Sequence, residues 1–391
     1  MMGLSGRPRV LVFQESLPDY RIPFLNALGE KVELTVAYSH ATGLKDVRPD
    51  KALIRSFTAL ELSRRGPSSG LWSWHPELIG YILRAQPEVV IAEPRLGLLT
   101  SWRLSCNKGI RSRLIWWMSG HEPPEDGIRS AIRRRIRRVL YRRAKACIGY
   151  GSQTAAYLRI LGIDIPVFIA PNSADSEGIA QWSNRWDKDV RMQEESYALR
   201  QGADFVILFV GRMVDAKRLP LLLQSLSILA SEYHSLNWRA LLVGDGPERE
   251  KITRLAARLG IDNRLHFAGA IHGAEKLITW FRASDLFILP GKGGLALNEA
   301  ISYGMPVLLS SADGTEADMV EHGRNGIILP QAGAEDFARA IAGLARDPGK
   351  REDMRQASLH LATTRSNLGR MTAGFLEAIC SVTDKHSSVI S

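Results

Sequence analysis

Two cations that follow a run of apolar residues are the side chains best placed to do chemistry. The stretch 205–217 reads FVILFVGRMVDAK, in which an apolar run leads into Gly211, Arg212 and then Lys217. Arginine offers a planar fork of donors and lysine a point charge, and together they suit a diphosphate group. The sequence therefore predicts that Arg212 and Lys217 bind a diphosphate.

A glycine-rich turn provides a second candidate site for an anion. The stretch 286–306 reads LFILPGKGGLALNEAISYGMP, an apolar run, then a glycine loop (291–294), then helical spacing from Leu295. Free N–H groups at a helix N-terminus carry partial positive charge, and glycine lets a phosphate approach the backbone. Gly294, Leu295 and Ala296 are the predicted backbone donors. The alternative is an ordinary turn between strand and helix, where glycines are also common.

The elements that position these residues alternate regularly between strand and helix. From residue 204 to 309 apolar runs of strand length alternate with amphipathic helical segments, which is typical of a parallel, doubly wound α/β sheet. Two more turns follow strands in this region. One contains Gly244 and Gly246 in ALLVGDGP, and the other ends at Ala270 after F-A-G.

Four motifs in this region resemble the C-terminal half of the family 4 glycosyltransferases. They are G-R-x4-K, G-x-G-P, F-x-G and P-G-x-G-G-L-x3-E-A-x3-G-x-P-V, in that order, and the resemblance covers 205–330. It implies the GT-B fold, with two Rossmann-like, doubly wound α/β domains facing a central cleft. It also implies retaining, metal-independent transfer from a nucleotide-diphosphate sugar, UDP- or GDP-linked, with no further cofactor. The acceptor would be a glycan or lipid-linked glycan in cell-surface polysaccharide synthesis.

The same resemblance assigns residues to catalysis and to the donor. It implies that Arg212 and Lys217 are catalytic, because they stabilise the charge that builds up on the leaving diphosphate. The expected donor-binding residues are Gly211, Gly244, Gly246, Ala270, Gly294, Leu295, Ala296 and Glu299. Glu299 matches the glutamate that accepts hydrogen bonds from the ribose hydroxyls, although an early helical carboxylate also simply complements the helix dipole. No group of residues has the spacing of a metal site.

One position departs from the family pattern. The family carries a glutamate eight positions before the one matched by Glu299, in the motif E-x7-E, and this sequence has Gly291 there, next to Lys292. Without that carboxylate, we expect a front-face displacement in which the leaving phosphate takes the acceptor proton. The same departure keeps two alternatives open, a nucleotide-sugar epimerase of the same fold and a non-catalytic relative that acts as a partner protein.

The N-terminal half offers candidates for contact with the acceptor. Tyr20 and Arg21 follow the first predicted strand, in LPDYRIPFLNAL, and either contact the acceptor or cap a surface helix. His121 and Glu122 follow the predicted strand 113–118, at the edge where α/β sheets bind ligands. The resemblance implies that His121 lies near the transferred sugar, as a third catalytic residue, and the alternative is a loop histidine with no role.

A strongly basic helix is predicted over 128–147, IRSAIRRRIRRVLYRRAKAC. Its isoleucines share one helical face, and arginines cover the rest. Such a helix can lie on an anionic membrane, bind nucleic acid, or form the solvated face of a core helix. Because no nucleic-acid-binding motif accompanies it, we expect Arg133, Arg134, Arg137 and Arg138 to face the membrane, with no nucleic-acid partner.

Length and composition fit a two-domain globular protein. The chain has 391 residues, a net charge of +10 and three scattered cysteines, and it has no apolar run of membrane-spanning length. We expect it in the cytoplasm, peripherally on the inner face of the cytoplasmic membrane. The expected organisation is an N-terminal acceptor domain (1–175), a linker (176–203), a nucleotide-sugar domain (204–370) and a C-terminal helix (371–391) that crosses back to the first domain.

Overall fold

The computed structural model describes residues 6–39, 49–67, 71–118, 128–310 and 316–383. The chain forms two compact units, Met1–Asn172 with Leu368–Ser391, and Ser173–Asn367. The strands in this part of the chain are β1 (Arg9–Gln14), β2 (Glu33–Tyr38), β3 (Thr58–Glu61), β4 (Val89–Ala92), β5 (Leu114–Met118), β6 (Ala146–Gly149), β7 (Val167–Ile169), β8 (Phe205–Val210), β9 (Trp238–Val243), β10 (Leu265–Gly269), β11 (Leu286–Leu289), β12 (Val307–Leu309) and β13 (Gly326–Ile328). The α-helices are α1 (Ile22–Gly29), α2 (Pro76–Ala85), α3 (Leu99–Cys106), α4 (Lys108–Arg111), α5 (Ile128–Tyr141), α6 (Gln153–Ile160), α7 (Ser176–Trp186), α8 (Val190–Arg200), α9 (Leu219–Glu232), α10 (Arg249–Arg258), α11 (Ala274–Arg282), α12 (Leu295–Ser302), α13 (Glu316–Met319), α14 (Ala334–Arg346), α15 (Pro348–Thr364) and α16 (Leu368–Val382).

The first unit is built on a parallel sheet in the order β3-β2-β1-β4-β5-β6-β7. Strands β4, β5 and β6 are buried along their whole length because helices cover both faces of the sheet. On one face, Phe375 of α16 lies 4.7 Å from the ring of Phe24 in α1 and 4.9 Å from that of Trp117 in β5. The last helix of the described chain therefore completes the core of the first unit.

The second unit is built on a parallel sheet in the order β10-β9-β8-β11-β12-β13. Strand order reverses between β8 and β11, which are neighbours, and β8, β11 and β12 are completely buried. A reversal of this kind opens a crevice at the carboxyl ends of the strands, where α/β sheets bind ligands. The predicted parallel, doubly wound architecture is confirmed in both units.

The stretch 176–203, expected as a linker, forms α7 and α8, and both helices lie within the second unit and pack against α11. Asp175 and Asp189 cap them by accepting hydrogen bonds from backbone N–H groups. The last two helices, α15 and α16, are separated by a break at 365–367, so the helix that returns to the first unit begins at Leu368 rather than at the expected 371. The hydroxyl of Ser366 in that break donates to the side-chain oxygen of Asn298.

The helices of the described chain include none whose length and apolar character would allow it to cross a membrane.

Candidate functional site

The candidate site lies where β8 and β11 end side by side in the second unit. Gly211 follows β8 with a φ of +152°, a conformation that favours glycine. A Cβ atom built at Gly211 would lie 3.7 Å from Cε of Lys217, so the lysine stem passes over this glycine. Arg212 is exposed, and its guanidinium makes no ion pair with any described residue. Both predicted cations therefore lie at the carboxyl edge of the sheet.

Lys217 connects this turn to the glycine loop. It ends a 3₁₀ turn (Asp215–Lys217), and its Nζ donates to the carbonyl oxygens of Lys292 at 2.6 Å and Gly293 at 2.7 Å. In return, the N–H of Lys292 donates to the carbonyl of Ala216 at 2.9 Å. The loops after β8 and β11 are thereby held together with an ammonium group between them.

Gly291 is glycine for a steric reason. A Cβ atom at this position would lie 2.3 Å from the carbonyl oxygen of Ala216 and 2.6 Å from Cα of Lys217. Contacts this short require the backbone to move, so the present loop has no room for a glutamate at 291. The missing carboxylate and the close approach of the Lys217 turn are therefore two consequences of one backbone arrangement.

Gly244 and Gly246 serve a similar close approach between neighbouring loops. Gly244 has a φ of +141°, and a Cβ atom there would lie 1.9 Å from the carbonyl oxygen of Gly211. A Cβ atom at Gly246 would lie 2.3 Å from the carbonyl oxygen of Met213. These glycines let the turns after β8 and β9 touch backbone to backbone, which positions Arg212.

Helix α12 directs its N-terminus toward the glycine loop. Gly294 is its N-cap residue with a φ of +127°, and no side chain caps the helix. Its first turn contains no acidic residue, so the N–H groups near Leu295 and Ala296 are left with their positive partial charge. This arrangement suits an anion.

Glu299 lies one turn further along α12. Burial raises the pKa of this carboxyl to about 7, and it forms no hydrogen bond or ion pair with the described residues. An unpaired, half-buried carboxylate is a strong acceptor for hydroxyl donors.

The turn after β10 contains the predicted donor residue Ala270, which is exposed. Within β10, the ring centre of Phe267 lies 5.9 Å from the guanidinium carbon of Arg249.

Glu316 is a residue that the sequence did not single out. It begins α13 and is 1% exposed, and its Oε1 accepts a hydrogen bond of 3.2 Å from the N–H of Gly293. This buried carboxylate is therefore a second side chain, besides Lys217, that fixes the glycine loop. In sequence it lies 23 residues beyond the loop, and no local pattern joins the two.

The predicted acceptor residues of the first unit differ in their surroundings. Tyr20 is 52% exposed, whereas Arg21 is 9% exposed and lies against the rings of Trp117 and Tyr150. His121 and Glu122 lie outside the described residues.

The predicted basic helix is α5, which ends at Tyr141. Leu140 is buried, but Ile132 and Ile136 are 54% and 40% exposed, so the apolar face extends beyond the core. Arg133 and Arg138 are exposed and Arg134 is half-buried. Arg137 donates a hydrogen bond of 3.1 Å to the hydroxyl of Tyr157, which holds it against the protein rather than toward solvent.

The comparisons with known proteins agree with this geometry. Residues 189–360 match the family model described as glycosyl transferases group 1. The matched stretch lies within the second unit and covers less than half of the chain. Among the described residues, no group of three or more His, Cys, Asp and Glu side chains could hold a metal ion.

Solved glycosyltransferases are similar in fold to this chain over nearly its whole length. Anabaena HepE, in complex with UDP and glucose, has a TM-score of 0.71 at 18% identity, covering 96% of this chain and 100% of HepE. A glycosyltransferase from Rickettsia africae has a TM-score of 0.71 at 14% identity, covering 98% of this chain and 100% of its own. Together with the two parallel sheets, these similarities show that the fold is GT-B.

Curated relatives match less than half of the chain. The D-inositol 3-phosphate glycosyltransferase of Kribbella flavida is 31% identical over 167 residues, 40% of this chain and 39% of the relative. The lipopolysaccharide core glycosyltransferase LpsE of Rhizobium meliloti is 27% identical over 179 residues, 45% of this chain and 50% of the relative. The chain thus spans a third to a half of the length of the curated relatives it matches.

Proposed function

We propose that the chain is a retaining, metal-independent glycosyltransferase of family 4. It moves a sugar from a nucleotide-diphosphate donor to a glycan or lipid-linked acceptor in the synthesis of cell-surface polysaccharide. The observation that carries this proposal is the Lys217 ammonium, held between the turn after β8 and the glycine loop, beside the uncapped N-terminus of α12. A diphosphate is the group that matches this combination of cation and backbone donors.

The proposed roles follow from charge. Lys217, Arg212 and the N–H groups near Leu295 oppose the negative charge that develops on the leaving diphosphate. Glu299 accepts hydrogen bonds from the ribose hydroxyls. The leaving phosphate oxygen takes the proton of the acceptor hydroxyl as the new glycosidic bond forms on the same face of the sugar. We place His121 near the transferred sugar.

We propose uridine as the donor base. The support is the similarity to HepE, which was solved with UDP and glucose and with UDP-glucose. Guanosine is the alternative to be tested beside it. The relatives that act in lipopolysaccharide core synthesis and on D-inositol 3-phosphate support an acceptor rich in hydroxyl groups.

The proposed location is the inner face of the cytoplasmic membrane. The support is the combination in α5 of exposed isoleucines, Ile132 and Ile136, with the exposed cations Arg133 and Arg138. Apolar side chains that enter the headgroup boundary and cations that meet anionic lipid are the two parts of an interfacial helix. Arg137 is the weakest of the four predicted contacts because it bonds to Tyr157.

The experiment that tests the function is a binding and turnover screen. UDP, GDP and their sugar conjugates are titrated into wild type, Lys217→Ala and the matched control Lys350→Ala, whose side chain is exposed on α15. We expect one nucleotide diphosphate to bind wild type and the control, and to bind Lys217→Ala weakly. Failure of every nucleotide to bind folded wild type would favour the non-catalytic partner, and release of an epimerised sugar would favour the epimerase.

A further inference from the structure

One peptide group of the glycine loop is held at both of its polar ends. The carbonyl oxygen of Lys292 accepts a hydrogen bond of 2.6 Å from Nζ of Lys217. The N–H of Gly293, which belongs to the same peptide group, donates to Oε1 of Glu316 at 3.2 Å. A cation therefore meets the negative end of this peptide dipole, and a carboxylate meets its positive end. Hydrogen bonds of this kind, in which one partner is charged, are stronger than those between neutral groups.

The backbone groups on either side of this peptide are also bonded. The N–H of Lys292 donates to the carbonyl oxygen of Ala216 at 2.9 Å, and the carbonyl oxygen of Gly293 accepts from Nζ of Lys217 at 2.7 Å. Four consecutive backbone groups thus have partners outside the loop. Residues 216 and 217 provide the partners of three of them, and Glu316 alone provides the fourth from α13.

The contact with Glu316 matters because residue 293 is a glycine. A flip of the peptide group between Lys292 and Gly293 changes φ of Gly293, and glycine adopts either sign of φ at little cost. The flip would turn the N–H toward the ammonium and the carbonyl oxygen toward the carboxylate, which is unfavourable at both ends. Lys217 and Glu316 together therefore select one orientation of the peptide group.

The burial of Glu316 favours a role beyond packing. The residue is 1% exposed, whereas Lys217 is half-buried and Lys292 is exposed. Burying a carboxylate is costly unless it accepts hydrogen bonds, and an apolar side chain would fill the same volume without that cost. Because salt screens a buried charge only weakly, the carboxylate acts on the peptide group at full strength.

The orientation of the peptide group in turn sets the direction of the Lys217 ammonium. An ammonium has three N–H donors, and two of those on Lys217 go to the carbonyl oxygens of Lys292 and Gly293. Two fixed donors determine where the third points. If the peptide group flips, the ammonium loses the carbonyl of Lys292 and with it this fixed direction.

We propose that Glu316 is a positioning residue of the donor site. It holds the N–H of Gly293, so the carbonyl of Lys292 stays turned toward Lys217 and the ammonium keeps the direction in which it meets a diphosphate. This inference rests on the proposed function in naming the diphosphate. The coupling of Glu316 to Lys217 through one peptide group rests on the geometry of the loop alone.

The first test is amide hydrogen exchange at Gly293, followed by NMR on the full chain without nucleotide. We expect Glu316→Leu to raise the exchange rate roughly tenfold, for the loss of one hydrogen bond, and Glu316→Gln, which keeps an acceptor oxygen, to restore slow exchange. Lys217→Ala should raise the rate as well, although a lysine cannot accept a hydrogen bond from that N–H. Exchange that is unchanged by Glu316→Leu, or unchanged by Lys217→Ala, overturns the proposal.

A double-mutant cycle then measures the coupling at the ligand. Inorganic pyrophosphate and UDP are titrated into wild type, Lys217→Ala, Glu316→Leu and the double variant. We expect Glu316→Leu to weaken both ligands roughly tenfold when Lys217 is present, and to have almost no further effect when Lys217 is replaced. Losses that simply add would mean that Glu316 does not act through Lys217, and they overturn the proposal.

Asp285→Ala is the control for general destabilisation. The carboxylate of Asp285 also accepts a hydrogen bond from a backbone N–H, that of Val206 at 2.7 Å, but near the amino end of β8 and away from the glycine loop. We expect this variant to lower stability and to leave both the exchange rate at Gly293 and the affinity for pyrophosphate unchanged. If it weakens the ligands as Glu316→Leu does, the positioning role is wrong.

UDP binding to wild type separates this inference from the proposed function. If no nucleotide binds but exchange at Gly293 depends on both Glu316 and Lys217, the donor assignment fails and the coupling stands. If UDP binds and exchange at Gly293 is independent of Glu316, the positioning role fails and the donor assignment stands.

Discussion

The Nζ of Lys217 donates a hydrogen bond of 2.7 Å to the carbonyl oxygen of Gly293, which joins two loops that are 76 residues apart in sequence. The N–H of Gly293 in the same loop donates to the buried carboxylate of Glu316. The glycine loop is therefore positioned by side chains from two different elements before any ligand arrives. Preorganised cations and backbone donors are effective in catalysis because they need not reorganise during the reaction.

Replacement of either site cation should lower turnover strongly. We expect Arg212→Ala and Lys217→Ala each to lose more than ~100-fold in kcat, as on removal of one group that stabilises developing charge. The measurement is the initial rate at saturating donor, with Lys350→Ala as the control. Near-normal turnover in both variants would contradict the assignment of the diphosphate.

A methyl group at position 291 should destabilise the second unit. In Gly291→Ala the new Cβ meets the carbonyl of Ala216 at 2.3 Å, and we expect a loss of roughly 1–3 kcal/mol in the free energy of unfolding. Gly343→Ala is the matched control, because Gly343 lies within α14 with open space around it, and alanine there should stabilise by about 0.5–1 kcal/mol. Urea unfolding measures both, and equal stability of Gly291→Ala and wild type would contradict the packing argument.

The carboxyl of Glu299 should make both stability and nucleotide binding depend on pH. Its pKa is raised from 4.5 to about 7 by burial, so its contribution to stability is present below pH 4.5 and is lost as pH rises through 7. Glu299→Gln should therefore be more stable than wild type above pH 7 and similar to it in acid. The measurement is the unfolding free energy across this range.

The same ionisation should favour the donor, because the charged carboxylate is the better acceptor for ribose hydroxyls. We expect wild-type affinity for UDP to rise through pH 7 relative to the affinity of Glu299→Gln, as measured by calorimetry. Parallel pH profiles for the two proteins would show that Glu299 does not contact the nucleotide.

Acid should destabilise the first unit through His75. Its ring accepts or donates at both nitrogens, to Ser39 at 2.9 Å and to Thr100 at 3.0 Å, and burial lowers its pKa to about 4 from 6.5. The depressed pKa means that stability is lost as pH falls below 6.5, because the unfolded chain takes up the proton first. His75→Gln should lose this slope, and His234→Gln, at an exposed position, should keep it.

Charge reversal on α5 should release the protein from anionic vesicles. We expect Arg133→Glu, Arg134→Glu and Arg138→Glu together to abolish cosedimentation at physiological salt, since each cation near the surface contributes about 1 kcal/mol. The matched control reverses exposed arginines of the second unit, Arg191, Arg254 and Arg258, for the same change in net charge. Equal release by both triple variants would assign binding to overall charge rather than to α5.

The sequence allowed the second sheet and its cations to be predicted because those elements carry local signals. Strands β8 and β11 are uninterrupted apolar runs, followed by Gly211 in one case and by Pro290 and Gly291 in the other, and Lys217 follows β8 closely. The segment 176–203 was expected as a linker because of its polar composition, and a helix was expected only in its second half, whereas it forms two capped helices that pack on α11.

The polar residues at the carboxyl edge of the first unit's sheet could not be grouped from the sequence. Gln14 ends β1, Glu93 follows β4 and Tyr150 follows β6, and only the strand order β1-β4-β5-β6 brings these strand ends to one edge. In α5, the isoleucine spacing correctly indicated an apolar face. The exposure of Ile132 and Ile136, which lie beyond the edge of the core, could not be predicted from that spacing.

The return of α16 to the first unit has a consequence for synthesis on the ribosome. Phe375 and its neighbours fill the core beside Phe24 and Trp117, yet they are made after the whole of the second unit. Until α16 has been synthesised, part of the apolar surface of the first unit therefore stays uncovered. The second unit, whose residues are continuous, can already fold at that stage. During that interval the surface awaiting α16 is the part of the nascent chain most exposed to aggregation and most dependent on chaperones.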